Sequence, residues 1–190
     1  MKQLSSHQFS DVYKSLGIDV RELGCVMLDV KPFPIKKFVE DAQSDLYYSE
    51  DEKKYWIKGC VGEDTAHVTL LYGLMKPATE YKKEVDAVLK DWSLDRVEID
   101  TIDYFESRYD DEAYYCVIAK IKVTPELEEG NARLRFLPHI DTFPTYTPHV
   151  TLAYIKKDQA VLDKWLSALK DEFIGELLAI DKINLGGSHD

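Results

Sequence analysis

Apolar and polar positions divide the chain into two runs of elements with the same order. Leu23 to Val30 (LGCVMLDV) is a compact apolar stretch that predicts a buried strand, closed by Pro32 and Pro34. Ile35, Phe38 and Val39 then open an amphipathic helix, with Pro34 suited to its first turn. His67 to Gly73 alternates polar and apolar residues, the period of a half-buried strand. Tyr81, Val85, Val88, Leu89 and Trp92 form a helical stripe within Thr79 to Trp92. Arg96 to Phe105 alternates as a strand, Ala113 to Val123 answers it, and the polar linker 106–112 makes the pair a hairpin. Pro125 to Leu137 reads as a helix with Leu127, Leu134 and Leu137 inward. A second alternating strand follows Pro148, a helix spans Asp158 to Phe173, and a last strand, Glu176 to Leu185, ends at Gly186-Gly187.

The order is strand, helix, alternating strand, helix, strand, and then the same again. It predicts a duplicated α/β unit, two lobes about a pseudo-two-fold axis, with the two alternating strands brought together at the centre. Residues 1–22 fall before the first run as an N-terminal extension, with Phe9, Val12, Tyr13 and Leu16 at helical spacing; 23–190 form the duplicated domain. Residues 43–64 are polar, acidic and aromatic and read as a long loop or lid.

The two alternating strands are nearly the same phrase. His67-Val68-Thr69-Leu70-Leu71-Tyr72-Gly73 recurs as His149-Val150-Thr151-Leu152-Ala153-Tyr154-Ile155, identical at five of seven positions and 82 residues apart. Residues i and i+2 of a strand share a face, so each copy sets an imidazole beside a hydroxyl. One copy is an ordinary amphipathic strand. Two copies in equivalent places, matching on the polar face as well as the core face, point to a shared site. Tyr72 and Tyr154 stand at odd parity to the histidines, and regular strands would turn them to the core.

Other chemistry is sparser. His7 and His189 fall at the termini, and His139 beside the second motif suits a supporting role. Two histidines could ligate zinc, but no third ligand is spaced with them, so no metal and no cofactor are expected. There is no nucleophile elbow, phosphate-binding loop or dinucleotide glycine fingerprint. Cys60 is most simply a buried thiol. Tyr47, Tyr48, Tyr55 and Trp56 in the lid, and Tyr146 before the second motif, either pack their loops or stack on bases, which is worth about 1–3 kcal/mol per base. Tyr48, Tyr55, Trp56 and Tyr146 are the candidate substrate contacts.

Composition narrows the partners. The 190 residues are 45% hydrophobic, enough for one cored domain. A net charge of −11 argues against duplex nucleic acid but not against a small phosphate-bearing ligand. Three cysteines without CxxC spacing fit a reducing compartment. No secretory h-region and no apolar run of about 18 residues is present, so a cytoplasmic protein without a membrane partner is expected. Oligomeric state is not legible.

Imidazole has a pKa near neutrality, so two histidines can take a proton from a nucleophile and give one to a leaving oxygen. Threonine hydroxyls and backbone N–H groups can bind the non-bridging phosphate oxygens. Paired His-x-Thr motifs in a bilobal chain resemble the 2H phosphoesterase superfamily over most of residues 23–185. The resemblance implies two antiparallel sheets flanking a central cleft with helices outside, and catalysis by His67, Thr69, His149 and Thr151. GCVMLDV at 24–30 and AHVTLLYGL at 66–74 further resemble the phage anti-CBASS nucleases. These would cleave the 3′-5′ linkages of cyclic di- and trinucleotides by attack of a 2′-OH, in a host cytoplasm. Two alternatives stand beside that reading: a 2′,3′-cyclic phosphodiesterase of the 2′-5′ RNA ligase type acting on RNA ends, and a non-catalytic cyclic-nucleotide sponge.

Overall fold

The computed structural model describes residues 15–18, 23–31, 36–49, 54–55, 66–106, 114–141 and 145–186. Among the described residues its frame is eight strands and four helices. They are β1 (Gly24–Val30), α1 (Lys36–Asp41), β2 (Tyr48–Ser49), β3 (Lys54–Tyr55), β4 (His67–Leu74), α2 (Lys82–Val88), β5 (Arg96–Glu106), β6 (Tyr114–Ile121), α3 (Pro125–Leu134), β7 (His149–Lys156), α4 (Gln159–Phe173) and β8 (Leu177–Gly186). Local chemistry sets the ends of the longer helices. Thr124 caps α3 and Pro125 fills its first turn, while the Asp158 carboxylate accepts from the Ala160 and Val161 N–H groups at the start of α4. The stripe predicted over Thr79 to Trp92 divides into a 3-10 turn, Ala78–Tyr81, and the shorter α2.

Six strands run in the order β4-β1-β8-β5-β6-β7, all neighbours antiparallel. β4-β1-β8 forms a first lobe and β5-β6-β7 a second. They are joined where Arg96, Val97 and Glu98 of β5 pair with Ala179, Leu178 and Leu177 of β8. The fold is the expected α+β class with two antiparallel halves. The repeat is assembled differently from its order in sequence, because each lobe takes its third strand from the other half of the chain. The β5–β6 hairpin explains this: β5 pairs with its successor, and the first lobe is completed by the C-terminal strand.

The two motif strands end the strand order on opposite sides rather than standing at its middle, yet β4 and β7 approach each other in space. Each free edge is sealed by the chain leading into the other motif. The Tyr47 N–H donates to the Tyr154 carbonyl at 2.8 Å, and Leu46 bridges Ile155. Likewise the Ile140 N–H donates to the Gly73 carbonyl at 2.8 Å, and His139 bridges Leu74. The described residues of the lid segment form a 3-10 turn at Gln43–Asp45 and the β2–β3 pair, Tyr48 opposite Tyr55.

One apolar cluster joins Val26, Leu28, Val68, Leu70, Val117, Val150 and Leu152 of the strands to Val85, Leu127, Leu134, Leu162, Trp165 and Leu169 of the helices. The helices thus cover one face of the sheet and leave the His/Thr face clear. Trp92 shows how close the packing is. Its indole N–H donates to the Glu126 carbonyl at 2.7 Å, and a Cβ at Gly130 would strike its ring. Among the described residues no helix is long and apolar enough to cross a membrane. Of the extension 1–22 only 15–18 are described, with Leu16 exposed; the helix expected there lies outside the described residues.

Candidate functional site

Both motif strands break the regular alternation at the same place. Met27 registers with Thr69 but Val26 with Leu71, so Leu70 is an extra residue in β4. Ile118 registers with Thr151 but Val117 with Ala153, so Leu152 is an extra residue in β7. These bulges reverse the parity beyond them. Burial confirms it: His67, Thr69 and Tyr72 are half-buried between fully buried neighbours, and His149, Thr151 and Tyr154 repeat the pattern. Tyr72 and Tyr154 therefore join the histidine face. The expectation that they point to the core required unbroken strands, which neither copy is. A bulge also strengthens local twist, which helps curl β4 and β7 toward each other.

Cross-strand register supplies the rest of the polar face. In the first lobe Asp29 stands opposite His67, Met27 opposite Thr69 and Cys25 opposite Tyr72. Lys182, Asn184 and Gly186 of β8 extend those rows. In the second lobe Lys120 stands opposite His149, Ile118 opposite Thr151 and Cys116 opposite Tyr154. Thr101, Asp103 and Phe105 of β5 extend these. The Phe105 ring meets the His149 imidazole edge-on, centroids 5.0 Å apart. Tyr114 contacts both Tyr154 and Tyr47 at 5.1 Å, giving the second lobe an aromatic wall.

His149 is the better defined of the two imidazoles. Its Nδ1 donates to the Thr147 carbonyl at 2.8 Å, which leaves Nε2 with the lone pair when the ring is neutral. Its pKa lies below the ordinary 6.5: burial lowers it, the Thr147 carbonyl opposes, and the charges of His67 and Lys120 lower it further. The strands that carry the two rings, β4 and β7, approach each other along one seam. Asp103 has a lowered pKa. Burial pushes it up, but the Lys120 hydrogen bond and charge and the Tyr104 N–H pull it below the usual range. Burial pushes the Cys116 thiol up to about 11 against hydrogen bonds from Thr151 and Tyr154, so it is an inert thiol beneath the site.

The residues expected to contact substrate have different surroundings. The Tyr146 ring packs against the core and its hydroxyl donates to the Thr69 carbonyl at 3.2 Å, a link between the approach to one motif and the strand of the other. Tyr48 is exposed on β2, the backbone of Tyr55 lies opposite it, and Trp56 lies outside the described residues, as do Cys60, His7 and His189. His139 donates from Nδ1 to the Leu137 carbonyl at 2.8 Å and serves the β4 edge. Among the described residues no three His, Cys, Asp or Glu side chains gather to hold a metal ion.

Tyr72 and Tyr154 reach the face against their parity in the sequence, and three further face residues lie outside the motif strands: Phe105, Asp29 and Lys120. A second echo could have found the last two. Cys25-Val26 of β1 matches Cys116-Val117 of β6, and three residues beyond each valine stand Asp29 and Lys120.

The sequence profile of the 2′-5′ RNA ligase superfamily matches residues 32–189. A solved structure of Kluyveromyces marxianus Usb1 is similar at a TM-score of 0.44 and 12% identity, covering 80% of this chain and 82% of that one. A second, of the same protein with uridine monophosphate, is similar at 0.42 and 11%, covering 80% and 81%. No curated protein matches the sequence. The profile spans both His-x-Thr strands and every described strand from β2 to β8, and the chain belongs to the 2′-5′ RNA ligase superfamily, a branch of the 2H phosphoesterases.

Proposed function

We propose that the protein is a phosphodiesterase that works by histidine acid–base catalysis on small nucleotides, with the 3′-5′ linkages of cyclic di- and trinucleotides as its substrates. One observation carries the reading: two copies of the same His-x-Thr strand, β4 and β7, approach each other in space. Membership of a phosphoesterase superfamily agrees with it. In the reaction a ribose 2′-OH attacks the adjacent phosphorus, the P–O5′ bond breaks, and a 2′,3′-cyclic phosphate and a 5′-OH remain. One imidazole takes the 2′-OH proton and the other protonates O5′. Thr69 and Thr151 bind the non-bridging oxygens, and the chemistry needs no metal. The choice of cyclic substrates draws on the resemblance of residues 24–30 and 66–74 to phage anti-CBASS nucleases. The net charge of −11, which disfavours a long polyanion, points the same way.

A second reading, a 2′,3′-cyclic phosphodiesterase acting on RNA ends, is favoured by the superfamily itself. A single panel separates them. The protein is incubated in EDTA with cyclic di- and trinucleotides, their 2′-deoxy analogues and RNA ending in a 2′,3′-cyclic phosphate, and products are identified by mass spectrometry. Linear products from the ribose rings but not the deoxy rings are expected. Turnover of the RNA ends alone would establish the second reading. Turnover of neither, or activity that dies in EDTA and returns with zinc or manganese, would refute the proposal.

A further inference from the structure

The pseudo-two-fold axis relates β1 to β6, β4 to β7 and β8 to β5. His67 corresponds to His149, Thr69 to Thr151, Tyr72 to Tyr154 and Cys25 to Cys116. The charges around the histidines do not obey this symmetry. Asp29 registers against His67, and beyond it Lys182 Nζ lies 3.6 Å from its carboxylate while the Asn184 amide reaches both oxygens at 3.2 and 3.3 Å. Lys120 registers against His149, and beyond it the Asp103 carboxylate closes an ion pair. Each lobe holds one carboxylate–ammonium pair, but the order outward from the histidine is inverted: carboxylate first beside His67, ammonium first beside His149.

We propose that Lys120 is a positioning residue that reserves His149 for taking a proton, leaving His67, in register with Asp29, to give one. Two imidazoles that share a seam repel each other when both are cationic, and an ammonium in register with His149 disfavours the cation there. Every element packed around His149 agrees with its neutral form except its own approach strand. Lys120 of β6 and His67 of β4 are cations or potential cations, Asp103 of β5 is already engaged with Lys120, and Phe105 of β5 offers a ring edge. Only the Thr147 carbonyl favours the charged ring, and by holding Nδ1–H it leaves Nε2 as the accepting nitrogen.

The proposal rests on the phosphodiesterase reading and completes it. As the nucleophilic oxygen bonds to phosphorus its proton passes to His149 Nε2. As the P–O bond to the leaving oxygen breaks, that oxygen takes its electron pair and a proton from His67. The site ends with His149 protonated and His67 neutral, and hydrolysis of a cyclic phosphate by water returns both protons along the reverse path.

Two experiments test it. In the substrate-free protein, imidazole NMR follows the titration of His149 in wild type, Lys120→Met and Lys120→Arg. The methionine variant should raise the midpoint by about half to one pH unit, as loss of a nearby cation requires, and the arginine variant should leave it in place. An unmoved midpoint in Lys120→Met, or an equal rise in both variants, would overturn the assignment to Lys120. This measurement needs no substrate, so it stands apart from any failure of the phosphodiesterase reading, which the product panel decides. The roles are then read with a ribonucleoside 3′-(p-nitrophenyl phosphate), whose leaving group departs without a proton. His67→Ala should keep activity on it within about tenfold of wild type, and His149→Ala should lose about 100-fold or more. The opposite pattern, or equal losses, would overturn the assignment.

Discussion

Asp45→Ala tests how the segment before the lid is held against the second lobe. Asp45 is buried, and its Oδ2 accepts the indole N–H of the fully buried Trp165 at 2.9 Å while pairing with Lys164. Two residues on, the Tyr47 N–H seals the β7 edge at Tyr154, and the Tyr47 ring meets Tyr114 in the aromatic wall. Truncation leaves the indole N–H buried without its acceptor, a cost of about 1–3 kcal/mol. The Lys164 side chain is 54% exposed, so its ion pair adds less than about 1 kcal/mol. The expected loss is about 2–3 kcal/mol, roughly 30- to 150-fold in the unfolding equilibrium. Asp45→Asn keeps an acceptor oxygen and loses the charge, so it should retain about half of the difference.

The pH dependence has a definite sign. Burial pushes the Asp45 pKa up, but hydrogen bonds from Lys164 and Trp165 and the charges of Lys164 and Lys156 bring it below 3.8. The folded protein therefore prefers the carboxylate. Its stabilisation is fully present above pH 3.8 and is lost as pH falls through the lower folded value. Urea unfolding followed by tryptophan fluorescence, at pH 7 and again below pH 3.8, measures both variants. The wild type–Asn difference should narrow only in the acidic series. An Ala variant within about 0.5 kcal/mol of wild type, or Ala and Asn variants of equal stability at pH 7, would refute the reasoning.

Three further outcomes are expected. Gly73→Ala should destabilise by about 2 kcal/mol or more, because Gly73 has φ +109° and a Cβ there would strike the Ile140 carbonyl; an unchanged urea midpoint would contradict this. Asn131→Ala should cost about 1–3 kcal/mol and lower turnover, since the Asn131 amide donates at 2.6 Å to the carbonyl of Leu70, the bulged residue that turns Tyr72 to the site; paired unfolding and rate measurements check it. If His149 is the base, the acidic limb of kcat/KM should lie below pH 6.5, because the ring must be neutral and its pKa is lowered; a limb above 6.5 would exclude that role.

Much of the frame was legible because it follows from short-range pattern. The buried run of β1, the alternation of β5 and β6 and the stripe of α4 each report one face of one element, and a face is a local property. The lid was less legible. Its acidic and aromatic residues carry no period, and what orders 43–48 is contact with Trp165, Lys164 and β7, all more than 100 residues away. Aromatic residues in the lid and before the second motif are distinguished in the sequence by type alone. Type does not distinguish a ring such as Tyr146, whose hydroxyl is engaged by a distant carbonyl, from one such as Phe105, which lies against a histidine.

By itself the sequence determined the two His-x-Thr strands, their equivalent places in a repeated order, and the pairing of imidazole with hydroxyl that makes acid–base chemistry conceivable. Those are consequences of residue type and a two-residue period. Tertiary structure decided what each strand stands beside. It exchanged the third strands between the lobes, because a short linker pairs β5 with β6. It placed a bulge in each motif, which carries Tyr72 and Tyr154 to the histidine face. It also set Asp29 against one histidine and Lys120 against the other, through registers between segments far apart in the chain. A two-fold repeat in sequence is chemically symmetric only until its neighbours are known, since the field at each imidazole comes from adjacent strands.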